Sequence, residues 1–407
     1  MPIRHHRYWL DRFNKSRRPT FPRLRGSFET SVVVVGGGLT GCACASSFAA
    51  AGVKVIVLEA QAIGAGATAG GLGIVREEFD ASFQDTASAH GLRVAKSLWE
   101  AMRKASLDLP AALRRLGVKC NLAPEDLLTF APREQRTIRL LEREQQARRD
   151  AGFDHRWLKA AAASREIAVE SGGAVRTSGW SLDPYRASLG LAAAATARGA
   201  AIYEKSPVTR IRAGRKQVEI ATASGTVRAD AVLVATAAPL ADLRALRRHL
   251  EPLDRYAVLT EPLPAAVRRQ LGRPGTTLRD VAAPPHMLRW VGEDRILFSG
   301  ADQPPVPDRA RERAIVQRTG QLMYELSVLY PAISGLQAQW AWDVTQYHTV
   351  DSLPFVGLHR NFPRHLFAMG ASRHGAGLAW LAARILLRRY RDEPAKGDDL
   401  FGFSRVL

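Results

Sequence analysis

The 407-residue sequence predicts an α/β fold, and three observations support this prediction. Four consecutive valines at residues 32–35 form a short apolar run that is typical of a buried strand in a parallel sheet. A glycine-rich turn, an alanine-rich segment and a second apolar run at residues 53–58 follow in the order strand, helix, strand. Farther along, residues 255–300 contain short runs that are typical of strands in an antiparallel sheet.

The glycine-rich turn has the spacing G-x-G-x-x-G at Gly36, Gly38 and Gly41. The first glycine permits a tight turn, the second leaves room for a pyrophosphate, and the third lets helix and strand pack closely. The helix N-terminus then stabilises phosphate charge. Glu59 ends the second strand, where a carboxylate accepts hydrogen bonds from ribose hydroxyls and disfavours a 2′-phosphate. The sequence therefore predicts a Rossmann-like dinucleotide site, which on these residues alone fits NAD and FAD equally.

The composition limits the classes of function. The formal net charge is +19, but the arginines are scattered and no RNA-binding motif or dense basic block is present, so nucleic-acid binding is not expected. No apolar stretch approaches the roughly 20 residues of a membrane span, and the cytoplasm is the expected location. Residues 1–29 lack an apolar signal-peptide core and are expected to form a basic, partly extended arm. The three cysteines have no metal-ligand spacing, so no metal site is expected.

Several segments between these landmarks also carry predictions. Residues 64–73, here called the glycine-rich segment, imply a backbone that lies close against a ligand. Asp183 is suited to cap a helix that begins at Pro184. Residues 133–150 are rich in charge and are expected to form a helix that faces solvent.

The ordered set of motifs resembles the D-amino-acid oxidase-like family of FAD-dependent amine oxidoreductases, over roughly residues 5–405. After the glycine fingerprint with Glu59, the segments that carry the resemblance are residues 64–73, 182–185, 206–211, 232–236, 260–264, 351–357 and 370–377.

The resemblance implies a discontinuous Rossmann-like FAD-binding domain (30–110, 175–240 and 345–407). Inserted in it is an α+β substrate domain (111–174 and 241–344) that contains the antiparallel sheet. FAD is expected to be non-covalent, because no cysteine follows Cys120 and no histidine lies in the glycine-rich segment. The residues expected to bind FAD are Gly36, Gly38, Gly41, Glu59, Gly66, Ala67, Thr68, Gly71, Val208, Ala235, His374, Gly375 and Gly377.

The implied activity is oxidation of the C–N bond of an amine or amino acid by hydride transfer to flavin N5, which gives an imine that water hydrolyses. The protein supplies position and charge, while the flavin carries the difficult chemistry. Oxygen or a quinone-linked carrier is the expected electron acceptor. Two alternatives stay open: a flavoenzyme that modifies a carboxymethylaminomethyl group on tRNA, which the charge of +19 suits, and a non-catalytic FAD-binding subunit.

Two arginines are candidates for binding a substrate carboxylate. Arg76 falls where sarcosine oxidase-like members of the family bind this group with an arginine, whose planar fork donates two parallel hydrogen bonds. The alternative is a surface arginine paired with Glu77 or Glu78. Arg289, on an expected strand of the substrate domain, is the second candidate.

The C-terminal part supplies the remaining candidates and departs from the family pattern. His348 is expected at the pocket mouth, and His374 beside the flavin pyrimidine. Arg373 replaces a usual glycine and either supplies or alters carboxylate recognition, while Gly377 stands where sarcosine oxidase-like members carry a lysine. These two departures suggest a substrate other than sarcosine. Ala237 also replaces a glycine after the strand that ends near Ala235.

Overall fold

The valine run forms the buried end of a central strand in a computed structural model, which describes residues 3–370 and 374–406. The strands within these residues are β1 (Gly26–Val35), β2 (Val55–Leu58), β3 (Ile74–Arg76), β4 (Ala123–Pro124), β5 (Asp126–Ala131), β6 (Arg156–Lys159), β7 (Gly173–Thr177), β8 (Gly179–Ser181), β9 (Ala201–Tyr203), β10 (Val208–Ala213), β11 (Val218–Thr222), β12 (Gly225–Val234), β13 (Glu251–Thr260), β14 (Thr276–Arg279), β15 (Met287–Val291), β16 (Arg295–Gln303), β17 (Ala338–His348), β18 (Phe355–His359) and β19 (Phe362–Met369).

Helices connect and cover these strands. The α-helices of the described residues are α1 (Tyr8–Asp11), α2 (Leu39–Ala50), α3 (Ala67–Gly70), α4 (Phe83–His90), α5 (Leu92–Arg115), α6 (Gln135–Asp150), α7 (Ala160–Ile167), α8 (Pro184–Thr196), α9 (Ala265–Arg268), α10 (Asp308–Leu329) and α11 (Gly377–Tyr390). Short 3-10 helices lie at Lys15–Arg17, Ala241–His249, Pro331–Ile333, Asp398–Phe401 and Phe403–Val406.

The first large sheet has the order β10-β11-β12-β1-β2-β9, and β19 pairs with β12 and with β18. Its centre is parallel, since β1 pairs in parallel with β2 and β12, and β12 pairs in parallel with β19. The valines of β1 are buried, as expected for a strand that is covered on both faces. Helix α2 packs between α8 and α11 beside this sheet, so the Rossmann-like core that the sequence predicts is present.

The second large sheet has the order β17-β13-β16-β15-β14-β5-β7-β6. Its pairs are antiparallel except for β14 with β5, which confirms the predicted antiparallel sheet. A small third sheet, β3-β8-β4, carries Arg76 at the end of β3. The two large sheets draw on interleaved stretches of sequence, and the domain boundaries stay a proposal. Strands β7 and β17 extend a few residues across the boundaries expected at 174/175 and 344/345.

Three local expectations have different outcomes. Asp183 caps α8 as predicted, because its carboxylate accepts the backbone N–H of Arg186 at 3.0 Å, with Pro184 in the first helical position. Within the expected arm of residues 1–29, the structure has α1 and, from Gly26 onward, the first residues of β1, and the bounds of the arm stay a prediction.

Helix α6 also differs from its expectation of a wholly solvated face. It buries Glu144, Gln145 and Arg148. Among the helices of residues 3–370 and 374–406, none is both long enough and apolar enough to cross a membrane.

Candidate functional site

A cavity of about 410 Å³ is lined by residues of both large sheets and of the loops between them. The wall from the first sheet includes the ends of β1, β2 and β19 and the turn that follows β12, and the wall from the second includes β13, β15 and β17. Ten of the residues predicted to bind the cofactor line it: Gly36, Gly38, Glu59, Gly66, Ala67, Thr68, Gly71, Val208, Ala235 and Gly375.

The glycine fingerprint has the geometry that its spacing predicts. Gly36 has a φ of +104°, and a Cβ there would lie 2.8 Å from the carbonyl oxygen of Ala235. Gly41 lies behind the cavity wall, where a Cβ would lie 1.8 Å from Gly36 O, so its role is close packing of α2 on β1. Gly38 lines the cavity at the N-terminus of α2. The absent side chains leave the space that a pyrophosphate needs beside a helix N-terminus.

Glu59 also lines the cavity, at the end of β2. Its Oε2 accepts the backbone N–H of Gly37 at 2.6 Å, and its Oε1 accepts that of Gln61 at 2.8 Å. Two fixed donors therefore orient the carboxylate, while its other lone pairs can accept hydrogen bonds from ribose hydroxyls.

The glycine-rich segment forms a second wall. Thr68 Oγ1 accepts the backbone N–H of Leu39 at 2.9 Å, which ties this wall to the first turn of α2. Gly73 has a φ of +68°, and a Cβ there would lie 2.1 Å from Leu182 O. The expectation of a backbone that lies close to a ligand is consistent with this placement, and the cradle fits the ADP half of FAD.

Arg76 lines the opposite part of the cavity and is 2% exposed. Its Nη2 donates to Asp80 Oδ1 at 3.1 Å, and Arg279 Nη2 lies 3.5 Å from the same oxygen. Glu77 and Glu78 pair instead with Arg103 and Arg148. The alternative of a surface arginine paired with Glu77 or Glu78 is therefore wrong.

Arg289 does not line the cavity. It is 6% exposed, and its Nη1 donates to Leu72 O at 2.8 Å and to Gly73 O at 3.0 Å. Burial lowers the pKa of its guanidinium, against the opposing effects of Glu125 and Asp183. The geometry does not support Arg289 as a carboxylate ligand, because its guanidinium holds backbone carbonyl groups.

Among the described residues, the C-terminal candidates His348, His374 and Gly377 do not line the cavity. His374 is buried and is not among the cavity-lining residues; its Nδ1 accepts the backbone N–H of Asp80 at 3.2 Å, so it helps to position Asp80, and its predicted contact with the flavin stays a prediction. Gly377 is the first residue of α11, and His348 is the last residue of β17. Arg373 lies outside the described residues.

Three described residues of the loop before α11 are predicted to bind the cofactor: His374, Gly375 and Gly377. Of these three, Gly375 is the one that lines the cavity. It has a φ of +78°, and a Cβ there would lie 2.7 Å from Ile74 O. The next residue, Ala376, donates its N–H to the same carbonyl at 2.8 Å, so the loop joins the strand that ends in Arg76. Ala237 is not among the positive-φ residues of the described chain, so the turn after β12 is made there without glycine.

Several lining residues have no motif and were not predicted. They are Asp80, Arg255, Met287, Val344 and Gln346. Arg255 donates through Nη1 to both carboxylate oxygens of Asp302 at 3.1 Å and through Nη2 to Pro285 O at 2.7 Å. The sequence signal for Arg255 is a charged residue at the start of an apolar strand. This signal does not reveal that its partner is Asp302, which is 47 residues away.

A family model described as FAD dependent oxidoreductase (DAO) matches residues 31–389. The chain belongs to this family. Its cofactor is FAD, and it is an oxidoreductase.

The similar proteins span nearly the whole chain. A probable oxidoreductase OrdL of Haemophilus influenzae is 26% identical over 400 residues, which cover 96% of this chain and 88% of that protein. Gamma-glutamylputrescine oxidoreductase of Escherichia coli is 27% identical and covers 93% and 87%. The solved structure of glycine oxidase from Geobacillus kaustophilus has a TM-score of 0.77 at 21% identity and covers 92% and 98%, which shows the fold.

A buried charged group lies behind the Arg76 strand of this DAO-family enzyme. Arg148 on α6 donates to Glu78 Oε1 at 2.6 Å and to Glu144 Oε1 at 2.7 Å. Burial alone would raise the pKa of Glu78, but the positive charge of Arg148, helped by His155, Arg279 and Arg76, lowers it to about 2. Glu78 is therefore ionised and fixed, which anchors the chain between Arg76 and Asp80.

Proposed function

We propose that this enzyme oxidises the C–N bond of an amino acid or a carboxylate-bearing amine, with Arg76 as the carboxylate ligand. The observation that carries the proposal is one continuous cavity, which extends from the glycine fingerprint and Glu59 to Arg76 and Asp80. A substrate at Arg76 would thus share the cavity that fits FAD.

Arg76 is suited to this role by its chemistry and its surroundings. Its guanidinium can donate two parallel hydrogen bonds to a carboxylate, and burial strengthens such a contact relative to one in water. Asp80 holds the guanidinium from one side and lines the same cavity. Because Asp80 orients the guanidinium, the carboxylate of a bound amino acid would find a positive side chain whose direction is already fixed.

The proposed reaction removes two electrons and two protons from the substrate C–N bond and gives an imine, which water hydrolyses. FAD supplies the electron acceptor when it is bound. Ile74, Met287 and Val344 give the cavity apolar walls, which favour the neutral form of the amine over its ammonium form. The names of two relatives, gamma-glutamylputrescine oxidoreductase and glycine oxidase, support an amine or amino-acid substrate.

The test is anaerobic reduction of the enzyme-bound flavin by a panel of amino acids and of matched amines that lack the carboxylate. We expect amino acids to bleach the flavin absorbance, and Arg76→Met to raise their KM about 100-fold, the value for loss of two charged hydrogen bonds. The matched control is Arg143→Met on the exposed face of α6. A flavin that no amine or amino acid reduces would contradict the proposed reaction. An unchanged KM in Arg76→Met would show that Arg76 does not bind the substrate carboxylate.

The same experiment addresses the electron acceptor and the linkage of FAD. Oxygen is admitted after reduction: rapid return of the oxidised flavin spectrum indicates an oxidase, and slow return indicates a quinone-linked dehydrogenase. Acid precipitation of the protein is expected to leave FAD in the supernatant, because Cys42, Cys44 and Cys120 are buried thiols. Flavin that stays with the precipitate would contradict non-covalent binding.

A further inference from the structure

The glycine-rich segment is held from outside the cavity by four side chains that donate to its carbonyl oxygens. Trp9 Nε1 donates to Gly71 O at 2.9 Å, and Trp342 Nε1 donates to Gly70 O at 3.0 Å. The other donors are Arg289, to Leu72 O and Gly73 O, and Arg7 Nη1, to Ala65 O and Gly66 O. We call these four side chains the carbonyl clamp.

Half of the carbonyl clamp comes from residues that precede the dinucleotide-binding fold. Arg7 and Trp9 lie at α1, ahead of β1, in what the sequence predicts to be a basic arm. Trp9 is buried, and the guanidinium of Arg289 lies 5.8 Å from the centre of its ring. The two clamp residues Trp9 and Arg289 therefore also contact each other.

The N-terminal residues have their own docking site on the second sheet. The backbone N–H of Arg4 donates to Gln339 O at 2.9 Å, and the N–H of Ala341 donates to Arg4 O at 3.0 Å, so Arg4 pairs with the edge strand β17. Trp340 Nε1 donates to Asp11 Oδ2 at 2.9 Å. These bonds fix residues 4–11 between β17 and the glycine-rich segment.

Regular secondary structure contributes little to the rigidity of the glycine-rich segment, so contacts from other parts of the chain have to hold it. Its α-helix, α3, has four residues, and its glycines lose more conformational freedom on ordering than other residues do. Gly66, Ala67, Thr68 and Gly71 of the segment nevertheless line the cavity. A flexible segment would have to be ordered when FAD binds, and that ordering would weaken binding.

We propose that residues 4–11 contribute to FAD binding. In this proposal Arg7 and Trp9 are positioning residues that pre-organise the glycine-rich segment. Neither residue lines the cavity, so both act through the segment. The proposal rests on FAD as the cofactor and does not depend on the identity of the substrate.

The test measures FAD binding to apoprotein by fluorescence titration and the FAD-induced rise in the midpoint of thermal unfolding. We expect Arg7→Met to raise the FAD Kd about tenfold, the size of one to two lost hydrogen bonds from a charged donor. The apoprotein midpoint should stay close to that of the unaltered protein, while the FAD-induced rise shrinks. Arg7→Lys should recover most of the affinity, and the matched control is Arg17→Met, an exposed position that lies beyond residues 4–11 and before β1.

Trp9→Phe is the second variant, because it keeps an aromatic ring in the core while it removes the indole N–H that donates to Gly71 O, together with one of the two fused rings. We expect a rise in the FAD Kd of about threefold to tenfold. An unchanged Kd in Trp9→Phe overturns the proposal for Trp9, and an unchanged Kd in a folded Arg7→Met overturns it for Arg7. If Arg7→Met does not fold, Trp9→Phe alone decides the outcome. Since no substrate is present in these titrations, either result leaves the proposed reaction untouched.

Discussion

Arg148 Nη1 lies 2.6 Å from Glu78 Oε1, and both side chains are almost fully buried. Arg148 also pairs with Glu144 and lies 4.6 Å from the centre of the Trp99 ring. Glu144 in turn accepts the backbone N–H of Phe83 at 2.7 Å at the start of α4. One guanidinium thus links α6 to the chain that carries Arg76 and, through Glu144, to the first turn of α4.

Removal of this guanidinium should destabilise the protein strongly. Arg148→Met leaves the carboxylates of Glu78 and Glu144 buried without their main counter-charge, and we expect a loss of about 3–5 kcal/mol in the free energy of unfolding. Urea denaturation of the apoprotein measures it. The exposed Arg143→Met on the same helix should change the free energy by less than about 0.5 kcal/mol. Equal effects of the two variants would mean that the buried pair has no special contribution.

Helix α6 also shows where sequence reasoning fails. Its many charges predict a solvated helix, yet Glu144 and Arg148 are buried, because Arg148 pairs with Glu78, which is 70 residues away in sequence. Periodicity reports the polarity of a position but not the presence of a distant counter-charge. The fingerprint at Gly36 and Glu59, by contrast, is contained in one strand–helix–strand unit, and local sequence was sufficient to predict its placement.

The proposed substrate end was only partly predictable for the same reason. Of the two arginines predicted to bind a carboxylate, Arg76 lines the cavity, whereas Arg289 donates to carbonyl groups of the glycine-rich segment. Both are arginines in short strands, and only tertiary contacts distinguish them. Arg255 and Asp80, which also line the cavity, carry no motif at all.

Gly41 should not tolerate a side chain. In Gly41→Ala the Cβ would lie 1.8 Å from the backbone oxygen of Gly36, which would force α2 away from β1. We expect a loss of at least about 3 kcal/mol in the free energy of unfolding, together with loss of bound FAD. Circular dichroism in urea and the flavin absorbance of the purified protein measure the two effects. Gly320→Ala is the control: α10 leaves open space there, and the variant should be stabilised by about 0.5–1 kcal/mol.

Glu59 should contribute to FAD affinity more than to folding. In Glu59→Gln one side-chain oxygen that accepts a backbone N–H, from Gly37 or from Gln61, is replaced by an NH₂ group that can only donate. We expect at least a tenfold rise in the FAD Kd, since hydrogen bonds to a charged acceptor are worth about 1.5–3 kcal/mol. Calorimetric titration of apoprotein with FAD measures the change. Glu29→Gln, at an exposed position of β1, should bind FAD normally, and a normal Kd in Glu59→Gln would contradict the assigned role.

His286 should make stability depend on pH near neutrality. Its Nδ1 lies 2.7 Å from Asp280 Oδ2 and its Nε2 lies 3.1 Å from Glu325 Oε2, beside the cavity-lining residues Pro285 and Met287. The hydrogen bond with Asp280 raises the pKa of His286, with the charges of Asp280 and Glu325 acting in the same direction and burial and Arg255 opposing them.

A histidine whose pKa is higher in the folded state than in the unfolded state stabilises the folded protein. The stabilisation is complete below the pKa of the unfolded state, which is about 6.5, and it is lost as the pH rises through the pKa of the folded state. We therefore expect the unaltered protein to have a higher free energy of unfolding than His286→Gln, and the difference to be largest below about pH 6. The difference should shrink steadily as the pH rises past the folded pKa. Urea denaturation of both proteins across this range measures it, with His5→Gln at an exposed position as the control. A difference that stays constant or grows with pH would show that the imidazolium form of His286 is not the one that the two carboxylates stabilise.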